Sequence, residues 1–344
     1  MGNNRHIKRR TLLGGVASLG LMSLIGCSDD SSQPGVERLD VSLIIPGKDS
    51  DYWGRYTVAG ATQGAIDAGA NFNRDVRLKV SGPAVEGAQG DFLQLLEGAV
   101  AGGPDALVIG TLYAEPTIPI LEEAHRGGVR INLLALNVEG LDENVYGSLY
   151  YCDQAEQGVK MADQLYQYCT DNNVEMNGVV GLHMSVVVPV LEEKIDAFRN
   201  RISELAPDLE LLDTLYNDND DMRAIQNMEG QISRYGDDLF ALAGFNANCG
   251  SAISRTLTET GLYDRIIGIS TDSDNEEVAG LRRGAMKALI LQTPYDQSYR
   301  AVYDAIDHIV NGTDFSKEIN IPSVVATLDN LENPEIAKLL APPQ

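Results

Sequence analysis

The sequence predicts an α/β fold with two doubly wound halves. At 344 residues, of which 44% are hydrophobic, the chain has the size and the apolar content for two domains. From Leu39 onward, apolar β-rich runs alternate with segments of helical period. The apolar runs are continuous, which is typical of parallel strands that helices cover on both faces.

The elements of the first half alternate strictly between strand and helix. In order they read VSLIIPG, YTVAGATQGAIDAGA, VRLKVSG, GDFLQLLEGAVAGG, DALVIG, PTIPILEEAHRGG and VRINLLAL. After NVYGSLYYCD the alternation begins again with the helix QAEQGVKMADQLYQYC and the strand NGVVGLHM, and it continues to the strand MKALILQ. The helix QSYRAVYDAIDHIVNG and the segment INIPSVVATL follow the second half and can return to the first.

The N-terminal residues 1–26 are predicted to be an export signal. They contain a basic region, an apolar stretch from Thr11 to Ile25 and small residues before Cys27. The tetrapeptide LIGC resembles a bacterial lipobox, so we expect Cys27 to be acylated and residues 27–37 to form a tether. The alternative is an ordinary secretory signal that ends by chance at Cys27.

The basic region also contains Arg9 and Arg10 followed by TLL, which resembles a twin-arginine signal. Lys8 stands where serine or threonine is usual, and a plain basic region remains the alternative. The export route therefore stays open between the general secretory and the twin-arginine pathways.

The charge of the chain excludes some partners. Its formal net charge is −24, and the predicted signal holds four basic residues and no acid, so the mature chain is more acidic still. Such a surface repels phosphate backbones and anionic headgroups, so we expect no nucleic acid partner and attachment to a membrane only through the lipid. Cys152, Cys169 and Cys249 show no metal-like spacing and predict no disulfide framework.

The strand ends of doubly wound sheets are where ligands bind. Tyr52 and Trp53 lie in the first such loop, beside acidic residues and Arg55. Rings supply an apolar face and charged groups fix hydroxyls, so this loop favours a ligand such as a sugar. The alternative is that Trp53 anchors the loop to the adjacent helix.

Polar side chains follow the other strands of both halves, and they supply the hydrogen bonds that a polyol needs. Such residues are also common helix N-caps, which is the favoured interpretation for Asp274. The candidate ligand-binding residues of this kind are Thr111, Asn137, Asn246, Asp272 and Gln292.

Motifs for catalysis or metal binding are not found in the sequence. Ser270 lies in GISTD and not in a nucleophile elbow, and the chain has no phosphate-binding GxxxxGK[ST] or GxGxxG loop. The histidines are widely separated, and NDNDDM, at 217–222, is interpreted as a helix start rather than a calcium loop. We therefore expect a binding protein that is not an enzyme and holds no cofactor or metal.

Several collinear segments carry a resemblance to a known family. They are DYW before GATQGAIDAGA, GPDALVIG, VVGLH before EEKIDAFRNRI, and RIIGISTDSDNEEVAGLRRGAMKALILQTPYDQSYRAVYDAI. From about Leu39 to Leu328 the sequence resembles the type I periplasmic binding proteins of the ribose and galactose group, the receptors of sugar ABC importers. The resemblance implies two Rossmann-like lobes, 38–148 plus 293–320 and 149–292 plus 321–330, which three hinge strands join.

The resemblance also implies roles for four residues. In the family, aromatic residues at the positions of Tyr52 and Trp53 stack on the sugar ring, and residues at the positions of Asn246 and Gln292 contact the ligand. It further implies an ABC permease as partner, and we expect a monomer. The predicted export signal and lipobox place the protein at the outer face of the cytoplasmic membrane. A receptor that reports to a membrane sensor kinase is the alternative. A LacI-type regulator shares the fold but begins with a DNA-binding helix-turn-helix, whereas this sequence begins with a lipobox-like segment and is strongly acidic.

The chain departs from the family pattern at three places. The usual Asp-Arg pair is replaced by Ala135 and Leu136, the usual Arg of the second lobe by Glu192, and the usual Asp after the GF pair by Ser270. These changes predict that ribose is not the main ligand. An apolar patch of the ligand should face Ala135 and Leu136, with hydroxyls or an amine facing Glu192. Alternatively, the alignment slips, and Asn137 and Asp272 replace the missing partners.

Overall fold

The structure is a computed structural model that describes residues 36–340 of the chain. The predicted signal and the acylation site Cys27 lie outside the described residues. Residues 36–340 form two six-stranded sheets, as the two predicted halves require. Within this range, no helix is long and apolar enough to cross a membrane.

Twelve strands form the two sheets. They are β1 (Glu37–Ile44), β2 (Arg74–Ser81), β3 (Ala106–Ile109), β4 (Arg130–Ala135), β5 (Leu149–Tyr151), β6 (Gly178–Met184), β7 (Leu209–Tyr216), β8 (Leu239–Gly244), β9 (Ile267–Thr271), β10 (Met286–Leu291), β11 (Glu318–Asn320) and β12 (Val324–Thr327).

Ten α-helices cover the sheets, together with a π-helical turn at Asp51–Thr57 and a short 3₁₀ turn at Gly236–Asp238. The α-helices are α1 (Val58–Phe72), α2 (Gln89–Ala101), α3 (Ala114–Arg126), α4 (Gln154–Asp171), α5 (Pro189–Leu205), α6 (Asp221–Tyr235), α7 (Ala247–Thr260), α8 (Asn275–Arg283), α9 (Pro294–Asn311) and α10 (Pro334–Leu340).

The first sheet has the strand order β11-β5-β4-β3-β1-β2, and all of its pairs are parallel. On one face it packs against α1 and α9, and on the other against α2 and α3. The second sheet has the order β12-β10-β9-β8-β6-β7 and is parallel except for the antiparallel edge strand β12. Helices α4 and α5 cover one of its faces, and α6, α7 and α8 cover the other. Both sheets are thus buried on both sides, as the continuous apolar strands predict.

The chain crosses between the sheets three times, after β5, after β10 and after β11. Leu149–Tyr151, which the sequence analysis assigned to the second lobe, pairs with β4 and β11 in the first sheet. The crossing therefore begins at Cys152, because the strand is held by hydrogen bonds on both sides up to Tyr151. Helix α9 then returns to pack against α1, and only β12 rejoins the second sheet.

The first crossing contains two buried glutamines on α4. The side-chain amides of Gln154 and Gln157 both donate to the carbonyl of Cys152, each at 3.2 Å. The Oε1 atom of each glutamine is buried without a hydrogen-bond partner. Buried amides are normally satisfied at both ends, so this crossing keeps unused hydrogen-bonding capacity.

Candidate functional site

A cleft of about 750 Å³ lies at the carboxyl ends of strands from both sheets. In each sheet the strand order reverses next to the first strand of that half, between β1 and β3 and between β6 and β8. Loops diverge at such switch points and leave a crevice, which is where ligands bind in doubly wound sheets. The cleft therefore lies where the topology predicts a binding site.

The aromatic pair after β1 forms part of the cleft wall. Ser50 caps the π-helical turn by accepting a hydrogen bond from the Trp53 amide at 3.1 Å. The Tyr52 and Trp53 rings meet edge to face, with centroids 4.8 Å apart. Trp53 is only 5% exposed, and its ring lies so close to Gly110 that an added Cβ there would come within 2.4 Å of it. Trp53 thus both anchors the loop in the core and borders the cleft.

A chain of side chains connects the two lobes across the cleft. The Gln292 amide donates to Asp272 Oδ1 at 2.7 Å, and Gln292 Oε1 accepts a longer bond of 3.4 Å from the Tyr52 hydroxyl. Asp272 Oδ2 also accepts from the backbone amide of Ala247 at 3.0 Å. Three of the predicted site residues, Tyr52, Asp272 and Gln292, are thereby brought together in the cleft.

Burial shifts the pKa values of two of these side chains, Asp272 and Tyr52. Burial raises the pKa of Asp272 above its ordinary value, although the positive charge of Lys194 opposes the shift. Burial, followed by the charge of Asp272, raises the pKa of Tyr52 well above its ordinary value. Tyr52 therefore remains a neutral hydrogen-bond donor. Asp272 has a φ of 80°, a left-handed backbone conformation that turns the chain after β9.

Lys194 on α5 is a cleft residue that the sequence analysis missed. It is 1% exposed, and its ammonium donates to the Phe245 carbonyl at 3.2 Å and to Thr271 Oγ1 at 3.5 Å. Burial lowers the pKa of Lys194, while Asp272 acts in the opposite direction. A signal was present in the sequence, because Lys194 falls on the same helical face as the buried Ile195 and Phe198.

The expectation that Glu192 faces the ligand does not agree with its position. Glu192 does not border the cleft, and its Oε2 accepts a hydrogen bond of 2.8 Å from the Tyr216 hydroxyl. Two residues of α-helix correspond to a rotation of about 200°, so Glu192 and Lys194 point away from each other. Lys194, and not Glu192, is the charged residue that α5 presents to the cleft.

Thr111 and Asn137 also lie away from the cleft lining. Thr111 is buried, and its hydroxyl oxygen accepts from the Tyr113 amide at 3.0 Å as part of the turn into α3. After β4, Ala135 adopts a φ of 66°, and the Leu136 amide donates to the Leu134 carbonyl at 2.8 Å in a tight turn. This turn directs Ala135 and Leu136 to the cleft and leaves Asn137 exposed.

Asn246 borders the cleft and also caps a helix. Its Oδ1 accepts from the Cys249 amide at 3.1 Å, and its Nδ2 donates to Ser185 Oγ at 2.6 Å. The predicted cap function of Asp274 is confirmed, because it forms a reciprocal capping box with Glu277 at the start of α8. Ser270 is fully buried and bonds to Glu277, so it does not reach the cleft.

Glu86 is a second cleft residue that the sequence analysis missed. It lies in the loop GPAVEG after β2, several residues beyond the strand end, where nothing in the sequence distinguishes it. Burial and then the nearby charge of Asp272 raise the pKa of Glu86 from its ordinary value of 4.5 to about 7. The cleft therefore contains a carboxyl group that titrates near neutrality.

The charges at the cleft are mostly negative. Its acidic residues are Asp49, Glu86, Asp218, Asp221, Asp272, Asp274 and Glu276, whereas its basic residues are Lys194 and Arg255. Within residues 36–340, no group of three or more histidines, cysteines or acids has the arrangement of a metal site. The arrangement is suited to holding a hydrogen-bond donor-rich ligand rather than an anion.

A comparison with protein families matches residues 41–313 to the periplasmic binding protein domain. This range begins within β1 and ends just after α9, so it leaves out β11 and β12, one strand of each sheet.

Solved structures support the same architecture. A carbohydrate transporter solute-binding protein from Agrobacterium radiobacter, in complex with D-arabinose, has a TM-score of 0.78 at 22% identity, covering 88% of this chain and 99% of that one. An ABC transporter solute-binding protein from Agrobacterium vitis with bound D-fucose has a TM-score of 0.75 at 19% identity, covering 88% and 99%. GanP, a glucose-galactose binding protein from Geobacillus stearothermophilus, has a TM-score of 0.72 at 17% identity, covering 86% and 99%.

Proposed function

The chain belongs to the periplasmic binding protein domain family, and from this premise we propose that it is an extracytoplasmic receptor that captures a sugar between its lobes for an ABC importer. The observation that carries the proposal is the chain from Tyr52 through Gln292 to Asp272, which spans both lobes at the cleft. A ligand that forms hydrogen bonds with these three side chains contacts both lobes at once. Similar structures described as transporter components support an importer rather than a sensor kinase as the partner.

The binding mode follows from the two kinds of surface in the cleft. The rings of Tyr52 and Trp53 offer an apolar wall to the carbon face of a sugar. Asn246, Asp272 and Gln292 offer amide and carboxylate groups to its hydroxyls. None of these residues is required to perform chemistry, so the ligand is bound and released unchanged.

The ligand should also have an apolar edge. Ala135 and Leu136 border the cleft where the family has an Asp-Arg pair, and their side chains cannot bond to hydroxyls. A hydroxyl buried against them loses its hydrogen bonds to water without replacement, at about 1 to 3 kcal/mol. A deoxy, methylated or otherwise substituted sugar, or a glycoside, fits this wall better than ribose.

We also propose that the receptor is exported and held at the outer face of the cytoplasmic membrane by a lipid on Cys27, and that it acts as a monomer. The support is the LIGC sequence and the polar segment after it. Cys27→Ser should release the protein into the soluble exported fraction, because each buried methylene of an acyl chain contributes about 0.8 kcal/mol. Wild-type protein without added acyl mass would contradict this anchor.

The function is tested by thermal-shift screening of residues 36–344 against sugars, polyols, nucleosides and amino acids. A ligand present at 100 times its dissociation constant should stabilise the protein by about 2.7 kcal/mol. Calorimetric titration of each hit then gives its affinity. Stabilisation by amino acids or nucleosides, with none by any sugar, would contradict a sugar receptor.

A further inference from the structure

The cleft extends beyond the space between the two lobes. Its lining includes side chains of α6, α7 and α8, the three helices that cover one face of the second sheet. Helix α7 begins in the cleft, because the backbone amide of its first residue, Ala247, donates to Asp272. Helices α6 and α8 pack against α7 and border a groove along it, which we call the α7 groove. The residues that define it are Ile225, Asn248, Ser251, Ala252, Arg255 and Asn275.

The α7 groove is continuous with the cleft between the lobes. Asn248, Ser251, Ala252 and Arg255 recur at intervals of three and four residues, which places them on one face of α7. Along the helix axis, Ala247 and Arg255 are about 12 Å apart. Side chains of a helix tilt toward its N-terminus, so the long side chain of Arg255 leans back toward the cleft. A ligand held between the lobes can therefore extend along α7 without leaving the protein surface.

The α7 groove combines an apolar floor with polar edges. Ala252 is buried and Ile225 is partly buried, and both pack in the core of the second lobe. Ser251, Arg255 and Asn275 are partly or fully exposed, and their side chains form no hydrogen bond or ion pair with any residue in the range 36–340. A sugar has apolar C–H faces and hydroxyl edges, so this combination suits a second sugar better than an apolar substituent.

The charges near the α7 groove favour a neutral occupant. Asp221 accepts from the Asn248 amide at 2.5 Å, and Glu276 accepts from Arg283 at 2.6 Å. Both carboxylates border the cleft and outnumber Arg255, the cation of the groove. An anionic group would therefore meet more repulsion than attraction.

The size of the cleft also agrees with a ligand longer than one sugar. Its volume of about 750 Å³ lies in the upper part of the range of roughly 300 to 1,000 Å³ found for sites of drug-sized molecules, which are larger than one sugar ring. We propose that the receptor captures a neutral disaccharide or longer oligosaccharide, with one sugar between the lobes and the next in the α7 groove. This inference rests on the proposed function and narrows its ligand to sugars of at least two units.

The test compares disaccharides with their component monosaccharides by calorimetric titration. The panel contains disaccharides of glucose, galactose, mannose, xylose, arabinose and fucose in α and β linkage, together with the methyl glycoside of each sugar. A hydrogen bond between neutral groups contributes a factor of about 2 to 10, and the groove offers several such groups. At least one disaccharide should therefore bind about tenfold or more tightly than its monosaccharides and their methyl glycosides.

Two variants of the α7 groove locate the second sugar. Ser251→Tyr fills the groove and should reduce the affinity for the disaccharide to that of its monosaccharide, while the monosaccharide keeps its affinity within about twofold. Arg255→Ala should weaken the disaccharide by a factor of about 3 to 10, because its hydrogen bonds form at an exposed position. Ser203→Tyr on α5 and Arg282→Ala on α8, at exposed positions outside the cleft, are the matched controls and should bind both sugars like the wild type.

The outcomes separate this inference from the function on which it rests. If every disaccharide of the panel binds no more tightly than its monosaccharides or their methyl glycosides, the oligosaccharide inference is overturned but the sugar receptor remains. A disaccharide preference that survives in both Ser251→Tyr and Arg255→Ala overturns the assignment of the second sugar to the α7 groove. If no sugar of the panel and none of the wider screen binds, the proposed function itself is overturned.

Discussion

The side-chain amide of Gln292 donates to the carboxylate of Asp272 at 2.7 Å, which joins the ends of the neighbouring strands β10 and β9 at the cleft. Because the other end of the same amide accepts from Tyr52 of the first lobe, Gln292 connects side chains of both lobes. Its position just before the second crossing means that a ligand bonded to Gln292 acts directly on the hinge.

Gln292→Ala should therefore weaken binding of the best sugar about 2- to 10-fold, since a hydrogen bond between neutral groups contributes about 0.5 to 1.5 kcal/mol. The melting temperature of the free protein should change little, because Gln292 is only partly buried. Gln167→Ala on the exposed face of α4 is the control. Unchanged affinity in Gln292→Ala would show that the bridge is not used by the ligand.

Glu86 should make the stability of the free protein depend on pH. Its pKa is raised on folding from 4.5 to about 7, so the folded state disfavours ionisation. The cost is absent below pH 4.5 and complete above pH 7, where it reaches about 3 kcal/mol at most. Relative to wild type, Glu86→Gln should gain stability as the pH rises from 4 to 8, as measured by urea unfolding. A gain that does not vary with pH would contradict this.

Trp53 is the only tryptophan, so its fluorescence reports on the cleft alone. In Gly110→Ala the new methyl group would meet the indole, so the Trp53 ring must shift from its position beside the cleft. We expect altered emission and weaker sugar binding. Gly98→Ala on α2, where an added Cβ meets nothing within 4 Å, is the matched control and should keep the wild-type spectrum. If wild type, Gly110→Ala and Gly98→Ala have identical spectra and affinities, the Trp53 indole does not contact Gly110.

Ala135 occupies a left-handed backbone conformation that costs an alanine about 1 to 2 kcal/mol. Glycine removes this cost but loses about 0.5 to 1 kcal/mol through backbone entropy. Ala135→Gly should therefore be neutral or raise the free energy of unfolding by up to about 1.5 kcal/mol. Ala106→Gly, at a buried position of β3, should lower it. Equal losses at both positions would argue against strain in the turn.

Ribose should bind poorly, because the wall formed by Ala135 and Leu136 leaves its hydroxyls unpaired. Calorimetric titration with ribose and with a deoxy sugar such as fucose compares the two directly, and the deoxy sugar should bind more tightly. A micromolar dissociation constant for ribose, about 8 kcal/mol, would contradict this expectation.

The two sheets and the alternation of their strands and helices could be predicted from the sequence because the pattern repeats over about 290 residues. Continuous apolar runs such as LFALAG alternate strictly with segments of helical period such as α9. The assignment of each strand or helix therefore supports the assignment of the element that follows it. Asp272 and Gln292 could be placed at the cleft for the same reason, since residues directly after parallel strands converge at one edge.

The remainder of the site depends on local geometry that the sequence does not display. A single tight turn at Ala135 decides that Leu136 borders the cleft and Asn137 does not. On α5, a difference of two residues decides between Glu192 and Lys194, and only the helical rotation of about 200° between them shows which one faces the cleft. Glu86 reaches the cleft from a loop whose course no periodic pattern describes.

The return of α9 and β11 to the first sheet has a consequence for how the protein is made. Residues Ala301, Val302, Ala305 and Ile306 fill the core beside α1, and β11 completes the sheet beside β5. A growing chain therefore lacks part of its amino-terminal core until about residue 320 has been synthesised. Contacts of such long sequence separation form slowly. The amino-terminal lobe, although it emerges first, should thus become protease-resistant only after about residue 320 has been synthesised, which pulse-labelled synthesis with timed proteolysis can follow.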